Sequence, residues 1–537
     1  MELRTSSMDG MSRTWTGRPQ GTEVTLQRPG FVRLLAGGRG HLVALGILLL
    51  LGLSIRFYDL TDAPLDFHET RQLGSAVVAR GMYYQMLPGA PADRRDLAQQ
   101  LWRAIPVYEP RFLERLVALT YLAVGDEYLW IARIYSALFW VLAAIGVYAL
   151  ARSATTSMGG LVAAGFYLIS PYAIIASRSF QPDPLMTALV VFSLLAIYRW
   201  SENPSMRRAI VAGAVCGAAV LAKAVAAFPL LGALAATGWS ARGFKRGLRD
   251  PQLWSMTVVA MLPSLVYYLI LAGPGSAGLF SFWVLRLRDL LSEPYFYVRW
   301  VQQMEYVVGF GWLVGGLLGA LLLGRVATPL LVGALGGYLI YGLALPFQIM
   351  THDYYHLMLV PLVALGLGGL SRVALLQLAG EARLWRLAAL GVAVFTVGYS
   401  LWEARVTLAA DDYRLEAAGW RRLGEAMPRD GAMVALTHAY GSRLQYYAWI
   451  NVGFWPGTAD IELAAYAGGG EFDFEQEFAT RTHGARYFLI TNFAEFDRQP
   501  ELKEHLYAKY AVYAEGEGFL IFDLRQAADL ERIQSDG

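Results

Sequence analysis

The chain leaves its first strongly apolar run, residues 42–58, and soon reaches the sequence Pro64-Leu65-Asp66-Phe67-His68-Glu69-Thr70-Arg71-Gln72. Two carboxylates, an imidazole and a guanidinium therefore stand just beyond an apolar run that contains no carboxylate. Such a cluster is costly beside lipid unless its members pair, are solvated or take part in chemistry. This stretch is therefore the first candidate for a functional site.

Composition indicates a membrane protein. Of the 537 residues, 56% are hydrophobic and only 16% are charged, which is too apolar for an ordinary soluble protein of this size. The net charge of +2 gives no field that favours nucleic acid. The one cysteine, Cys216, lies in an apolar run, so no disulfide can form within the chain. Any domain outside the membrane must therefore be stable through its own core.

Apolar runs long enough to cross the hydrocarbon layer as helices recur along most of the chain. We predict eleven spans, at residues 42–58, 128–151, 158–177, 184–200, 207–223, 225–239, 252–272, 306–324, 328–346, 357–376 and 384–402. Residues 1–40, which are rich in Arg and Gly, are predicted to be a disordered cytoplasmic segment. The sequence thus predicts a polytopic α-helical membrane domain over residues 41–405.

Arginine and lysine set the predicted orientation. With a cytoplasmic N-terminus, the inner turns hold Arg152, Arg207, Arg208, Arg242, Lys245, Arg246, Arg249, Arg325, Arg372, Arg383 and Arg386. This distribution obeys the positive-inside rule at each turn, as expected for a multi-pass protein of the plasma or inner membrane. The same orientation places four unusual segments on the outer face, which are the loop 59–127, the turn 177–184, the loop 273–305 and the turn 351–356. Polar and aromatic residues converge there, which is typical of an active site.

The C-terminal segment, residues 411–537, has shorter apolar runs and more charge. Residues 433–436, 487–490 and 519–522 are predicted to be buried strands, and residues 413–427 and 499–509 are predicted to be helices. An odd number of crossings places this small α/β domain on the extracytoplasmic side of the membrane. We expect it to act as a scaffold or to contact an acceptor.

The stretch around His68 has a structural and a chemical interpretation. Asp66 and Glu69 have the spacing of a capping box, which would open a helix lying on the membrane surface. The same carboxylates stand beside His68 and Arg71. A carboxylate that takes a proton from a hydroxyl, next to a guanidinium that holds a phosphate, is what sugar transfer from a phospholipid needs.

The motif His68-Glu69-Thr70-Arg71 resembles the Asp-Glu-Thr-Arg motif of the aminoarabinose transferases that modify lipid A, and it is similar to the Asp-Glu motif of the protein O-mannosyltransferases. Both are GT-C glycosyltransferases, polytopic enzymes that use polyprenyl- or dolichyl-phosphate sugars. His68 stands where these families have the first Asp, and Asp66 lies two residues earlier. The resemblance therefore leaves the identity of the base open.

Two later segments carry the same resemblance. Ser177-Arg178-Ser179-Phe180-Gln181-Pro182-Asp183 is similar to the Ser-Arg-x4-Asp motif of the mannosyltransferases, at identical spacing. By itself, an Arg and an Asp in one short turn form either an ion pair or a ligand clamp. Lys223 ends the fifth span, where the families have a lysine that faces the donor phosphate. Without that resemblance, Lys223 would be a side chain that snorkels to the interface.

The turn Thr351-His352-Asp353-Tyr354-Tyr355-His356 is the densest polar and aromatic site between two spans. It is either part of an aromatic belt or a ligand site, and Tyr354 and Tyr355 are grouped with the donor-binding candidates. His352 and His356 stand four apart, on one face if the turn is helical. With Glu109, which by resemblance binds a metal or orders the first loop, they form a candidate site for a divalent cation.

The loop 273–305 interleaves aromatic residues with arginines. We predict an interfacial amphipathic helix, whose apolar face would lie along a prenyl chain. Arg286 and Arg288 are then candidates for contact with the donor phosphate.

The resemblance implies a glycosyltransferase that moves a sugar from a polyprenyl-phosphate carrier to a lipid, glycan or protein acceptor on the outer side, with inversion. The candidate bases are Asp66 first, then Asp183 or Glu69, with His68 in the same cluster. The candidate donor-binding residues are Arg71, Arg178, Lys223, Arg286, Arg288, Tyr354 and Tyr355. The alternative is a transporter or flippase for a lipid-linked saccharide, since polar groups between spans also mark substrate paths.

Overall fold

A computed structural model describes residues 39–107, 109–271 and 281–527. The predicted disordered segment 1–40 lies almost entirely outside these residues, as do the start of the loop 273–305 and the end of the chain. Within the described residues, the chain forms a bundle of apolar helices, a group of outer-loop helices and a C-terminal sheet domain. This is the architecture that the sequence predicts.

Helices occupy all eleven predicted positions. Seven helices in the described residues are long and apolar enough to cross a membrane, namely Leu129–Ala154, Asp183–Glu202, Ala224–Arg242, Pro251–Leu271, Ala327–Ala344, Asp353–Gly380 and Arg383–Leu408. The shorter helices at the remaining positions are Gly40–Arg56, Ser157–Ile169, Met206–Ala222 and Phe310–Ala320. The prediction of a polytopic α-helical protein is confirmed.

Two of the predicted spans are interrupted. The span predicted at 158–177 breaks after Ser170, because Pro171 starts a second short helix, Pro171–Ala176, and has no N–H with which to continue the first. The span predicted at 306–324 breaks at Gly309, whose φ of 79° ends the preceding helix Pro294–Val308. Helical periodicity continues across both breaks, so the sequence pattern did not show them.

Small residues let the membrane helices approach each other closely. A Cβ atom on Gly333 would overlap the carbonyl oxygen of Gly232 on the neighbouring helix, and one on Gly319 would overlap that of Gly366. Such contacts are typical of helix pairs packed inside a membrane. These close contacts hold the helices of the bundle together and so fix the positions of the helix ends.

The described part of the first outer loop contains three helices, Glu69–Met86, Ala92–Ala104 and Phe112–Val124. Their buried faces form one apolar cluster, in which Val77 and Val117 are fully buried. Ala417 and Tyr446 of the C-terminal segment belong to the same cluster. The C-terminal domain is thus packed directly on the helices of the first loop.

The predicted capping box is wrong. The helix begins at Glu69, so His68 rather than Asp66 is the N-cap residue, and no side chain caps the helix. The backbone of His68 is left-handed, which turns the chain sharply just before the helix. The spacing of Asp66 and Glu69 fits a capping box, but the turn at His68 moves the start of the helix beyond Asp66.

The C-terminal domain is a five-stranded sheet with helices around it. The strands are β1 (Ala432–Leu436), β2 (Gly453–Phe454), β3 (Ala485–Ile490), β4 (Tyr510–Gly516) and β5 (Phe519–Ala527). They lie in the order β2-β1-β3-β5-β4, with β1 parallel to β2 and β3 and with β5 antiparallel to β3 and β4. The helices are Arg414–Ala426, Thr458–Ala464, Phe474–Arg481, Phe493–Asp497 and Pro500–Lys509. The predicted strands and both predicted helices are present.

Candidate active site

His68 and Asp353 connect the first outer loop to the turn between two membrane helices. Nε2 of His68 lies 2.5 Å from Oδ1 of Asp353, although 285 residues separate them in sequence. The backbone of His68 has a φ of 45°, which is unusual for a residue with a side chain and is common at functional sites. The rings of Phe67 and Tyr354 contact the imidazole edge-on, with centroids 4.6 and 4.5 Å away. A carboxylate and two aromatic rings therefore hold the imidazole in one orientation.

Lys223 and Asp183 form a buried ion pair at the ends of two membrane helices. Nζ of Lys223 donates to Oδ1 of Asp183 at 2.8 Å, and the two side chains are 4% and 2% exposed. The ammonium also lies over the rings of Tyr354 and Tyr355, 4.8 and 4.4 Å from their centroids. Tyr354 contacts both this ammonium and the imidazole of His68. The structure thus brings four of the predicted site residues to the His68 stretch.

Arg71 belongs to the same cluster. Its Nη2 donates to both carboxylate oxygens of Glu109, at 3.0 and 3.1 Å. Burial alone would lower the pKa of Arg71, but Glu109, Tyr354, Tyr355 and Asp183, in decreasing order of effect, raise it above its ordinary value. The guanidinium therefore stays charged within the site.

The turn before helix Asp183–Glu202 contains buried polar atoms that have no hydrogen-bond partner among the described residues. They are Oδ2 of Asp183 and both side-chain amide atoms of Gln181, which is fully buried. An unsatisfied buried polar group costs about 1–3 kcal/mol. An ordered water or a polar ligand would satisfy these atoms. This turn can therefore hold a polar group beside Lys223.

Gln72 fastens the first loop to the same turn. Its Oε1 accepts a hydrogen bond from the N–H of Phe180 at 3.0 Å, and its Nε2 donates to the carbonyl of Phe67 at 2.5 Å. Gln72 is only 2% exposed. Its side chain thus fixes the position of the His68 stretch relative to Asp183.

Arg178 binds the protein backbone. Its two terminal nitrogens donate to the carbonyls of Tyr58 and Asp59, each at 2.7 Å. Burial and then the nearby charge of Arg133 lower the pKa of Arg178 to about 10. These contacts hold the segment that leads to His68. They favour a structural role for Arg178 over the predicted contact with a donor phosphate.

Glu69 binds the C-terminal domain. Its two carboxylate oxygens accept hydrogen bonds from Arg443 at 2.5 and 2.8 Å, and Arg443 also bonds to Glu416. Burial would lower the pKa of Arg443, but Glu69 and Glu416 raise it above its ordinary value. These contacts favour a docking role for Glu69 over the predicted role as a base. No motif in the sequence points to Arg443, which lies 374 residues away from Glu69.

Asp66 makes weaker contacts than the other candidate bases. Its Oδ1 lies 3.9 Å from Nη2 of Arg133, and its side chain is 35% exposed. Within the part of the chain that the structure describes, its carboxylate accepts no hydrogen bond. Nothing there orients Asp66 as Asp353 orients His68. Its predicted role as the first base stays a prediction.

The predicted metal ligands do not form a metal site. Across residues 39–107, 109–271 and 281–527, no group of three or more His, Cys, Asp or Glu side chains is placed to hold a metal ion. Both ring nitrogens of His356 are engaged, Nδ1 with the hydroxyl of Tyr338 at 2.5 Å and Nε2 with the carbonyl of Ile349 at 2.8 Å. Glu109 is paired with Arg71. These side chains therefore do not fit a divalent cation.

His352 lies beside His68, and the predicted helical face shared with His356 is wrong. His352 has extended backbone, because the short helix of this turn begins only at Asp353. Its ring stacks on that of His68, with centroids 6.2 Å apart, and its Nδ1 lies 2.6 Å from Oγ1 of Thr351. Burial and then the charge of His68 lower the pKa of His352 to about 4. His352 is therefore neutral at pH 7.

Arg286 and Arg288 are exposed. Nε of Arg288 lies 4.0 Å from Oδ1 of Asp289, and the Arg288 side chain is 74% exposed. In the described residues, no hydrogen bond or ion pair joins either arginine to the cluster around Lys223. Their predicted contact with the donor stays a prediction. The amphipathic helix predicted in this loop is present at Pro294–Val308.

A family model described as dolichyl-phosphate-mannose-protein mannosyltransferase matches residues 112–273. No curated protein matches the sequence. The matched segment includes Asp183 and Lys223, which form the buried ion pair. It ends before the turn that carries Asp353.

Two solved structures share the fold over nearly the whole chain. ArnT from Cupriavidus metallidurans bound to undecaprenyl phosphate is 16% identical, with a TM-score of 0.54, and the match covers 90% of this chain and 97% of that one. The oligosaccharyltransferase of Archaeoglobus fulgidus in complex with Zn and sulfate is 14% identical, with a TM-score of 0.53 and coverage of 91% and 73%.

A further structure of the archaeal enzyme, AglB from Archaeoglobus fulgidus in complex with an inhibitory peptide and a dolichol-phosphate, is 16% identical, with a TM-score of 0.51 and coverage of 90% and 74%. These structures confirm the predicted polytopic fold.

Proposed function

We propose that this chain, which by its fold is a member of the GT-C superfamily, moves one sugar from a polyprenyl-phosphate carrier to an envelope acceptor on the outer side of the membrane. The acceptor is a lipid, a glycan or a protein. The acceptor oxygen attacks the anomeric carbon, the bond from that carbon to the phosphate oxygen breaks, and the polyprenyl phosphate leaves. Direct displacement of this kind inverts the anomeric centre.

The observation that carries this proposal is the contact between His68 and Asp353. Nε2 of His68 lies 2.5 Å from the carboxylate, so Asp353 fixes the tautomer in which Nε2 carries the proton. Nδ1 is then the nitrogen that takes the proton from the acceptor as its oxygen attacks. The carboxylate stabilises the imidazolium that forms, as in other oriented His-Asp pairs. General-base assistance of this kind contributes roughly 10²–10⁴-fold to the rate.

The donor phosphate is held by Lys223 and Arg71. Both cations lie in the cluster around Tyr354, which also contacts the base. Asp183 orients the ammonium and Glu109 orients the guanidinium, so neither side chain has to be ordered when the donor binds. Fixed cations stabilise the charge that grows on the leaving phosphate. The lipid phosphates named in the structures of the two neighbours support a donor of this class.

The three candidate carboxylates, those of Glu69, Asp183 and Asp66, are weaker candidates for the base than His68. Both oxygens of Glu69 bind Arg443, and Asp183 is paired with Lys223. Asp66 is partly exposed and lies 3.9 Å from its nearest cation. Among these candidates, His68 combines a partner that orients it with a second ring nitrogen, Nδ1, that makes no hydrogen bond to the described residues.

The proposed orientation follows from the positive-inside rule. The N-terminus lies in the cytoplasm, and the domain of residues 411–537 lies outside the plasma or inner membrane. The site is then on the outer face, at the ends of the helices that hold Asp183, Lys223 and Asp353. Cysteine substitutions at exposed Asp289 and Arg383 test this directly. We expect a membrane-impermeant maleimide to label the first in intact cells and the second only after lysis.

Metal dependence is tested separately. One structural neighbour was solved with Zn, whereas the side chains of this cluster are engaged with one another. The transfer of sugar by the purified protein is therefore measured after treatment with EDTA, and again after Mg²⁺, Mn²⁺ or Zn²⁺ is added back. We expect the same rate in each condition.

The transfer reaction itself is tested with purified protein. The protein is incubated with radiolabelled polyprenyl-phosphate sugars and a membrane extract, and the products are separated. We expect labelled acceptor and free polyprenyl phosphate in equal amounts. Asp353→Asn is expected to slow the formation of both products. The matched control is Asp289→Asn, at a side chain that is 82% exposed, and it is expected to leave both rates unchanged.

A transporter gives a different result in the same experiment. It would move the intact labelled lipid across the bilayer of a vesicle without forming labelled acceptor or free lipid phosphate. That outcome, with every donor sugar tried, would overturn the proposal.

A further inference from the structure

A polar cavity of about 350 Å³ lies between the helices of the first outer loop and the C-terminal domain. Its size is in the range of small-molecule sites. Arg80, Arg94 and Glu127 line it from the first loop, and Arg421 and Trp449 line it from the C-terminal domain. None of these residues belongs to the cluster around His68 and Lys223.

Two of the arginines in the wall are already engaged. Arg80 donates to Glu127 at 2.8 Å and to the carbonyl of Tyr446 at 2.6 Å. Arg429 donates to the carbonyls of Trp449 and Gly424, at 3.1 and 3.0 Å. The contact of Arg80 with Tyr446 joins the two parts of the chain, and the contacts of Arg429 hold the C-terminal side of the wall together.

Arg94 and Arg421 are available to a ligand. Both are exposed, and neither side chain makes a hydrogen bond or an ion pair with another described residue. Arg94 approaches from the helix Ala92–Ala104 and Arg421 from the helix Arg414–Ala426. A guanidinium recognises carboxylate and phosphate groups through paired N–H donors. The cavity therefore offers two anion-binding groups from opposite walls.

Trp449 positions two arginines of the wall. The guanidinium groups of Arg80 and Arg94 lie 4.1 and 5.0 Å from the centroid of its ring. The backbone of Trp449 has a φ of 57°, a conformation that residues with side chains rarely adopt and that the surrounding structure must maintain. Asp126 and Glu425 at the same cavity provide acceptors for hydroxyl groups.

We propose that this cavity binds an anionic saccharide, one that carries a carboxylate or a phosphate. The acid group would bind Arg94, which Trp449 holds in place, and Arg421, and hydroxyls would donate to Asp126 and Glu425. A ligand held in this way contacts both the first outer loop and the C-terminal domain. Its binding therefore stabilises the docking of the two. This site is separate from the transfer site, so the inference does not depend on the proposed transfer reaction.

The full chain in detergent micelles tests the proposal by calorimetric titration. The probes are digalacturonate, glucose 1-phosphate, the neutral disaccharide maltose and inorganic phosphate. We expect at least one anionic saccharide to bind and to raise the thermal midpoint, and maltose to do neither. Loss of a charge-assisted contact raises Kd by roughly tenfold or more. The double variant Arg94→Gln/Arg421→Gln should therefore weaken binding by at least that factor.

Arg103→Gln is the matched control, because Arg103 is an exposed arginine on the same helix as Arg94, and its one hydrogen bond to a described residue is to Gln99. It is expected to leave the affinity unchanged. Since Arg94 and Arg421 are exposed, their variants should fold, which an unchanged thermal midpoint of the free protein verifies. Three results would overturn the proposal: no binding of either anionic saccharide, equal affinity for inorganic phosphate, or equal affinity of the double variant and the wild type.

Discussion

Arg443 in the C-terminal domain donates hydrogen bonds to both carboxylate oxygens of Glu69, the residue next to His68 in the first outer loop. The C-terminal domain is therefore attached directly to the segment that carries the proposed base. The side chains of Arg443 and Glu69 are 15% and 20% exposed, so water weakens this contact only partly. A change at this contact should affect both the stability and the geometry of the site.

Arg443→Gln is expected to destabilise the protein by about 1–3 kcal/mol, the usual cost of losing a hydrogen bond to a charged group. Glu69→Gln should have a similar effect. In the double variant the two losses should not add, because both variants break the same contact. Unfolding in mixed micelles measures all three. Arg481→Gln, which breaks an exposed pair on a C-terminal helix, is the control, and strict additivity at Glu69 and Arg443 would disprove the coupling.

Lys223→Met is expected to destabilise the protein by about 3–5 kcal/mol, because it leaves the buried carboxylate of Asp183 without its cation. Adding Asp183→Asn to Lys223→Met should recover much of the stability but none of the transfer activity, since the phosphate ligand is still missing. Unfolding in mixed micelles and the transfer assay measure the two effects. Recovery of activity in the double variant would show that Lys223 is only a structural partner of Asp183.

Arg178→Lys is expected to lower the thermal midpoint almost as much as Arg178→Gln. The guanidinium of Arg178 reaches two carbonyls, those of Tyr58 and Asp59, at 2.7 Å each. A lysine ammonium, as a single point donor, cannot reproduce this fork. Thermal unfolding in detergent compares the two variants. Full stability of Arg178→Lys combined with weaker donor binding would instead support the predicted contact of Arg178 with the donor phosphate.

The stability of the protein should depend on the protonation of His352. Its pKa in the folded protein is lowered to about 4 from an ordinary value of 6.5. Between these two values the unfolded chain binds more protons than the folded protein, so stability falls as the pH is lowered from about 6.5 towards 4. Above pH 6.5 this contribution is constant.

His352→Gln should flatten this part of the pH profile. The measurement is the thermal midpoint of the wild type and the variant between pH 4 and pH 8. The difference in thermal midpoint between the wild type and His352→Gln should shrink as the pH falls below 6.5. Above pH 6.5 this difference should be constant. A difference that grows at low pH would mean that the folded protein binds the proton more tightly than the unfolded chain.

The sequence predicted what depends on local pattern. Long apolar runs located the membrane helices, and short apolar runs located buried strands such as residues 487–490 in β3. The common sidedness of the loops also predicted that His68, Lys223 and Tyr354 would share one face, and the structure places them within contact of one another. The side of the membrane on which a loop lies is strongly constrained, because the number of spans that precede the loop, odd or even, decides it.

The sequence could not predict contacts between residues that are far apart in the chain. Arg443 and Gln72 have no motif of their own, and their roles come only from their partners, Glu69 and Phe180. Asp353 lies in a turn that the sequence singles out, but nothing local indicates that it orients His68. The interruptions at Pro171 and Gly309 were also missed, since the apolar pattern continues across them.

The central claim is tested most directly by the rate of a single turnover of sugar transfer. This rate is measured for Asp66→Asn, His68→Gln, Asp353→Asn and the double variant His68→Gln/Asp353→Asn. Each variant must first be shown to keep the thermal midpoint of the wild type. If His68 takes the acceptor proton and Asp353 orients it, both variants of this pair lose roughly 10²–10⁴-fold, and the double variant loses little more than His68→Gln alone. Asp66→Asn then keeps most of the wild-type rate. Full transfer by His68→Gln, together with loss of transfer in Asp66→Asn, would contradict the account and return the role of base to Asp66.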